Sequence, residues 1–234
     1  MERKAFLKAL RELSAGNAEY KSFNKRIVNT EKDVIGVRLP DLRRLARDIS
    51  KGMDPAAVLA FLEEADKNSY EQVMVAGLVI DYAKISENEK IELTSEYLKH
   101  VDSWALIDSF VSKLPKRFDE KLWWDLAIKC LASDEEFTVR YGVIRLMESF
   151  IAKEYLPDVF AALRRVKHKG YYVKMGMAWL YAETALRDFQ KTVEEVCSEK
   201  TDPWTRSKAF QKMLESYRIT DEQKAFIRSI RKEI

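Results

Sequence analysis

Apolar residues recur along this chain at helical spacing, and no stretch alternates convincingly between apolar and polar positions. Residues 137–151 place apolar side chains at 137, 139, 143, 144, 146, 147, 150 and 151, which predicts the broad stripe of an inner helix. Asp54-Pro55 and Asp202-Pro203 each place a capping oxygen before a Pro at the first helical position. Three segments match the capping box: Ser86-Glu-Asn-Glu89, Ser133-Asp-Glu-Glu136 and Thr220-Asp-Glu-Gln223.

These signals predict an all-α protein. The expected helices span approximately 3–14, 17–28, 40–50, 55–65, 69–84, 87–99, 103–113, 119–132, 135–152, 155–166, 170–185, 189–198, 203–217 and 221–233. Glycine (7 residues) and proline (5 residues) are scarce, which argues against a protein of many tight β-turns.

The helices follow an internal repeat. The segments EQVMVAGLVIDYA, FTVRYGVIRLMESF, YYVKMGMAWLYAETA and PWTRSKAFQKMLESY align with Met74, Arg140, Lys174 and Arg206 at equivalent positions. The interval from Met74 to Arg140 is 66 residues, the length of two repeats, and its midpoint lies beside Asp108. With Asp108 included, the series 74, 108, 140, 174, 206 steps by 34, 32, 34 and 32 residues. A period of this size with two helices per repeat predicts an α-solenoid, as one domain over residues 1–234 with about six helix pairs.

The repeat predicts where some of the basic residues lie relative to one another. The net charge is only +3, so a nucleic-acid partner requires the basic residues to gather on one face. Arg140, Lys174 and Arg206 are in register on the predicted concave face, where cations at regular intervals suit a polyanion. The alternative is that they are ordinary solvated charges at helix starts. Further basic residues are expected at the rim of this groove: Arg164, Arg165, Lys167, His168 and Lys169.

The segment Ser103-Trp104-Ala-Leu-Ile-Asp108 places an indole and a carboxylate one helical turn apart. A carboxylate in a phosphate-binding groove repels its ligand. Asp108 therefore either pairs with Arg140 or supplies negative charge to a developing cation. Trp179, one turn beyond Lys174, is the other tryptophan expected to face the groove. The remaining three are expected in the core: Trp123, Trp124 and Trp204.

The chain offers little for metal or redox chemistry. Cys130 and Cys197 have no C-x-x-C spacing and are expected to be reduced and buried. His100 and His168 share no metal-ligand spacing. No apolar run approaches the roughly 20 residues of a membrane span, and the charged N-terminus lacks the apolar core of a signal peptide. A cytoplasmic, monomeric protein is expected.

Three segments carry a resemblance to a known family: Ser103-Trp104-x-x-x-Asp108, Thr138-Val-Arg140-Tyr and Val173-Lys-Met-Gly-Met-Ala-Trp179. They resemble the AlkD family of DNA alkylation repair glycosylases, which are built from HEAT-like repeats, and the resemblance runs from about Gly36 to the C-terminus. It implies that Trp104, Asp108, Arg140 and Trp179 form the active cleft. The sequence departs from the family where Ser103 stands before a single tryptophan. For an N-terminal aromatic of the family, Tyr20 and Phe23 are the two candidates.

The resemblance also implies a reaction. An ionised Asp108 would stabilise oxocarbenium character on a deoxyribose while a cationic, N3- or N7-alkylated purine leaves duplex DNA, with no metal or organic cofactor. Trp104 and Trp179 would pack on the sugar, and Arg140, with Lys174 and Arg206, would hold phosphates. Two alternatives remain open: a non-catalytic solenoid that binds damaged or branched DNA, and a protein–protein scaffold.

Overall fold

The computed structural model describes residues 3–231, and this part of the chain contains fourteen α-helices and no strand. The all-α prediction is confirmed. The helices are α1 Arg3–Ser14, α2 Ala18–Val28, α3 Leu39–Ile49, α4 Pro55–Glu64, α5 Tyr70–Tyr82, α6 Glu87–Leu98, α7 Trp104–Phe110, α8 Glu120–Leu131, α9 Glu136–Ser149, α10 Leu156–Leu163, α11 Tyr171–Thr184, α12 Phe189–Cys197, α13 Pro203–Glu215 and α14 Asp221–Ile230. A 3₁₀ turn, Lys153–Tyr155, precedes α10.

Most of the predicted start signals act as caps. The Asp54 carboxylate accepts the N–H of Ala57 at 2.8 Å, and the capping boxes at Ser86 and Thr220 are both formed. The box predicted at Ser133 is wrong, because α9 begins only after Glu135. The Ser133 hydroxyl instead accepts the N–H of Glu135 at 3.1 Å, in the turn before the helix.

The described chain forms two compact units. The first runs to Ser112 and includes Arg117–Leu122, and the second contains Lys113–Lys116 and the described residues from Trp123 onward. In the first unit, α3, α5 and α7 pack side by side, with α4 and α6 against α5. In the second unit, α9, α11 and α13 pack side by side, α12 lies against α11 and α13, and α14 lies against α13.

The helix starts carry the repeat. The helices α5, α7, α9, α11 and α13 begin at residues 70, 104, 136, 171 and 203, so successive starts differ by 34, 32, 35 and 32 residues. These intervals agree with the predicted period of two helices per repeat. The prediction of one uninterrupted array over residues 1–234 stays a prediction.

The inner helices are buried nearly all round. Residues 70–80 of α5 and 139–147 of α9 are all buried, and the second stretch agrees with the inner helix predicted over 137–151. Close packing requires Gly77 in α5, where a Cβ atom would lie 2.6 Å from the ring of Tyr97. Cys130 is buried, and burial raises the pKa of its thiol to about 12. Cys197 is only half-buried, so the prediction of two buried cysteines is right for the first alone.

Candidate nucleic-acid interface and active site

Helix α7 carries the predicted indole and carboxylate. Ser103 is its N-cap, with φ −144° and ψ 140°, and its hydroxyl accepts the N–H of Ala105 at 3.3 Å. Trp104 and Asp108 are both half-buried and stand one turn apart, while the helix buries its other face in the first unit. The buried residues of α7 are Ala105, Leu106, Ile107 and Phe110. The packing of the short helix therefore fixes which side Trp104 and Asp108 occupy.

The indole of Trp104 is anchored to α2. Its Nε1–H donates to the carbonyl oxygen of Ile27 at 3.1 Å. On the same helix Phe23 and Ile27 stand one turn apart and are 51% and 44% exposed. This end of α2 therefore presents apolar side chains to solvent next to the candidate site.

Both candidates for the N-terminal aromatic lie at one pocket. Tyr20 and Phe23 line a cavity of about 550 Å³ together with Arg38. The Arg38 guanidinium lies 4.5 Å from the centroid of the Tyr20 ring, a cation–π contact. Desolvation by burial raises the pKa of the Tyr20 hydroxyl above its ordinary value. Both aromatic side chains therefore line the same cavity.

In the second unit, Arg140 is buried. It is 4% exposed, and its Nη1 donates to the carbonyl oxygen of Tyr172 at 2.7 Å, reaching from α9 to the first turn of α11. The Glu136 carboxylate accepts the N–H of Tyr172 at 2.7 Å. Gly176 makes room for the guanidinium, since a Cβ atom there would lie 3.4 Å from Arg140 Nη1. Arg140 therefore joins two neighbouring helices.

The residues predicted to line the groove beside Arg140 differ in how far they are engaged within the protein. Lys174 is half-buried, and its ammonium pairs with the Asp202 carboxylate at 3.1 Å. Arg206 caps the end of α12, because its Nε donates to Val196 O at 3.0 Å and its Nη2 to Ser198 O at 2.9 Å. Met74, the equivalent residue of α5, is 2% exposed and lies in the core.

The predicted rim divides in the same way. Arg164 forms a bidentate ion pair with Glu195, and this hydrogen bonding raises the pKa of the arginine. The His168 imidazole is half-buried, and its Nδ1 accepts the N–H of Gly170 at 3.0 Å. Arg164 is exposed despite its ion pair, as are the other three predicted rim residues: Arg165, Lys167 and Lys169.

A row of aromatic rings crosses the first turns of α9, α11 and α13. The centroid distances are 5.5 Å for Phe137–Tyr172, 5.1 Å for Tyr172–Tyr171 and 5.6 Å for Tyr171–Trp204. Tyr171 is 55% exposed and Trp204 is half-buried. We call Phe137, Tyr171, Tyr172 and Trp204 the aromatic row. Exposed ring faces of this kind suit the stacking of bases or sugars.

Two lysines flank the end of the aromatic row. The ammonium groups of Lys174 and Lys208 lie 6.0 and 5.8 Å from the centroid of the Trp204 ring. The expectation that Trp124 and Trp204 are core residues is wrong, because both are only half-buried. Trp123, in contrast, is 4% exposed, as expected. The aromatic residues at the helix starts were the available sequence signal: Tyr171 and Tyr172 in α11, and Trp204 after Pro203 in α13.

The structure places Trp104 and Asp108 together on one helix of the first unit. It places Arg140, Lys174, Trp179 and Arg206 on the three adjacent helices α9, α11 and α13 of the second unit, where Trp179 is half-buried. Among the described residues, no group of three or more His, Cys, Asp and Glu side chains is arranged to hold a metal ion. No described helix is both long enough and apolar enough to cross a membrane.

Comparison with protein families adds one finding. The sequence profile of the family described as "DNA alkylation repair enzyme" matches residues 7–213, which is most of the 234-residue chain. The match includes α7 with Trp104 and Asp108 and extends through α9, α11 and most of α13. No individual curated protein matches the chain significantly.

Proposed function

Because the chain belongs to the DNA alkylation repair enzyme family, we propose that it is a DNA glycosylase that releases cationic N3- or N7-alkylated purines from duplex DNA. The observation that carries this proposal is the face of α7, which presents an indole and a carboxylate one turn apart, both partly open to solvent. An anchored indole beside a carboxylate is suited to a sugar on which positive charge develops.

The chemistry needs little help at the leaving group. Alkylation at N3 or N7 makes the purine cationic, so the glycosidic bond breaks with its electron pair moving to the base, which leaves neutral. Positive charge then develops on the deoxyribose, where the Asp108 carboxylate stabilises it more strongly than in the ground state. The same carboxylate orients the water that adds to the anomeric carbon, and the proton released from this water passes to solvent.

Trp104 completes the proposed site on α7. Its ring face packs on the sugar and favours the positive charge that develops there. The role that the family resemblance implies for Trp179, in the second unit, stays a prediction. In the second unit, Arg140 holds the first turn of α11 through its bond to Tyr172 O, and the phosphate contact predicted for it stays a prediction. This division of labour needs no metal and no organic cofactor.

We assign DNA binding in the second unit to the cations beside the aromatic row. Lys174 and Lys208 flank Trp204, and exposed rim residues extend the positive charge: Arg165, Lys167 and Lys169. Arg164 and Arg206 are hydrogen-bonded to groups of the protein itself, so in this proposal they stabilise the surface and do not contact phosphates.

The direct test is release of free base. Purified protein is incubated with methylated duplex DNA, and the released 7-methylguanine and 3-methyladenine are separated by chromatography and quantified. We expect release well above the spontaneous rate, from methylated duplex and not from unmodified duplex. Release at the spontaneous rate by folded protein would refute the glycosylase assignment.

A prediction about DNA binding follows from the two lysines at Trp204. The double substitution Lys174→Ala, Lys208→Ala removes up to two phosphate contacts. We therefore expect weaker binding and a slope of log K against log salt that is less steep by up to about 2. Fluorescence anisotropy with a labelled duplex over a salt series measures both quantities. Lys200→Ala, at an exposed position, is the matched control and is expected to keep the slope. An unchanged slope in the double variant would contradict this assignment.

The aromatic row favours a second candidate function. Exposed Tyr171 and half-buried Trp204, with the ammonium groups of two lysines 6.0 and 5.8 Å from the Trp204 centroid, form a surface that suits the stacking of DNA bases without any chemistry at the sugar. A non-catalytic member of the family would bind damaged or branched DNA through it. Steeply salt-dependent binding to such DNA, with no base release by the wild-type protein, would select this alternative.

A further inference from the structure

The C-terminal end of α2 receives hydrogen bonds from the start of α7. The helix ends at Val28, and Asn29 takes the left-handed conformation with φ 48° and ψ 66°. Carbonyl groups in a last helical turn have no donor within the helix and need one from outside. Here the donors come from α7, because the Ser103 hydroxyl donates to Val28 O and the indole of Trp104 donates to Ile27 O.

Asp102 holds the chain that follows α2. Its carboxylate accepts the hydroxyl of Thr30 at 2.8 Å and the N–H of Glu31 at 3.1 Å, and the Lys32 ammonium lies 3.9 Å away. Thr30 is 7% exposed, so its hydroxyl is largely shielded from competing water. We call these contacts, from Ile27, Val28 and residues 30–32 to Asp102, Ser103 and Trp104, the α2–α7 clasp.

The clasp controls the direction of an indole. A half-buried tryptophan can rotate about two side-chain bonds, and one hydrogen bond from Nε1 selects one orientation only if its acceptor is itself fixed. The acceptor, Ile27 O, lies three residues before Thr30, where the Asp102 carboxylate fastens the chain. Asp102 precedes Trp104 by two residues in sequence. By holding Thr30, it also restrains the chain that carries the carbonyl to which Trp104 donates.

We infer that Asp102 and Ser103 are positioning residues for Trp104, acting through the end of α2. The consequence for base release rests on the proposed function. The consequence for the indole does not, because it follows from the hydrogen bonds alone. Displacement of a catalytic group by about 1 Å can lower a rate on the order of 100-fold without abolishing binding.

The test combines a spectroscopic and a kinetic readout on the full chain. The indole N–H signal of Trp104 in a ¹H–¹⁵N spectrum is assigned with Trp104→Phe. We expect Asp102→Ala to move this signal upfield and to raise its exchange rate about tenfold or more, because the acceptor carbonyl is released. We expect single-turnover base release to fall about tenfold or more while the Kd for DNA changes less than about threefold.

Two further variants separate positioning from general loss of stability. Asp102→Asn keeps an oxygen that can accept from Thr30 or Glu31, so its indole signal is expected near the wild-type position. Asp54→Ala removes the capping carboxylate of α4 in the same unit, and we expect it to lower stability without moving the indole signal. If Asp102→Ala does not fold, Thr30→Val removes the hydroxyl partner of Asp102 and is expected to move the same signal.

The outcomes are distinct. The inference would be overturned if the Trp104 indole signal is unchanged in folded Asp102→Ala. If that variant does not fold, an unchanged signal in Thr30→Val would have the same meaning. An equal displacement in Asp54→Ala would overturn it as well, because the effect would then be general. If the signal moves as expected but the wild-type protein releases no base, the clasp stands and the glycosylase proposal falls.

Discussion

We expect Asp108→Asn to lower the rate of base release about 100-fold or more while leaving DNA binding intact. The amide has nearly the same shape as the carboxylate, so the packing of α7 is retained. What is lost is the negative charge beside the deoxyribose, which is needed most when positive charge develops there. Binding is expected to stay within about threefold or to become tighter, because a carboxylate near phosphates opposes binding.

Single-turnover kinetics with excess protein measure this effect, because product release limits turnover in many enzymes. Asp48→Asn is the matched control. Asp48 is an exposed residue of the same unit, and its carboxylate pairs with Lys51 at 2.8 Å. This variant is expected to release base at the wild-type rate. Equal rates for wild type and Asp108→Asn, both above the spontaneous rate, would remove Asp108 from the mechanism. Equal rates at the spontaneous level would refute the enzymatic proposal itself.

We expect Glu71→Gln to lower the free energy of unfolding by about 3 kcal/mol. Glu71 is fully buried, and its carboxylate accepts the N–H groups of Ile35 at 3.0 Å, Gly36 at 2.8 Å and Val37 at 3.3 Å. The amide of glutamine keeps one acceptor and turns two hydrogens toward backbone groups that are themselves donors. The melting temperature is expected to fall by roughly 6–12 °C.

Thermal and urea unfolding followed by circular dichroism measure this loss. Glu63→Gln, at an exposed position of the same unit, is the control and is expected to change stability by less than about 0.5 kcal/mol. Gly36→Ala tests the same loop independently. Its φ is +93°, and a Cβ atom would lie 2.7 Å from the Cβ of Lys21, so this variant is also expected to be unstable. A loss below about 1 kcal/mol for Glu71→Gln would show that the loop does not depend on the carboxylate.

Much of the fold could be predicted because its signals are local. Helix periodicity, Asp-Pro starts and the Ser86 and Thr220 capping boxes each involve residues within about one turn, and each appears where the pattern placed it. The largest boundary errors are of three residues, at the ends of α7, α9, α10 and α14. The segment of α7 is an example, because the helix stops at Phe110 and not at 113. Nothing in the apolar spacing of that segment marks the point at which packing ends the helix.

Glu71 illustrates what local signals do not contain. In sequence, Asn68-Ser-Tyr-Glu71 reads as a loose capping box for α5. In the structure Ser69 is the N-cap without a side-chain cap, and the Glu71 carboxylate reaches residues 35–37 instead. The same holds for Asp102, whose partners lie about 70 residues earlier in the chain. Such contacts depend on which segments the fold brings together.

The sequence by itself determined the helices, their repeat and the placement of Trp104 beside Asp108, because all three follow from spacings within one or two helices. Only the tertiary structure decided which charges are available to a ligand. Arg140, Arg164 and Arg206 have the same local appearance as Lys167 and Lys169, yet each arginine donates to a group of the protein itself: Tyr172 O, Glu195 and the end of α12. A guanidinium is bound or available according to the groups that packing brings within its reach. For the same reason, the Trp204 ring lies close to two lysine ammonium groups, and Trp104 is held by a carbonyl of α2.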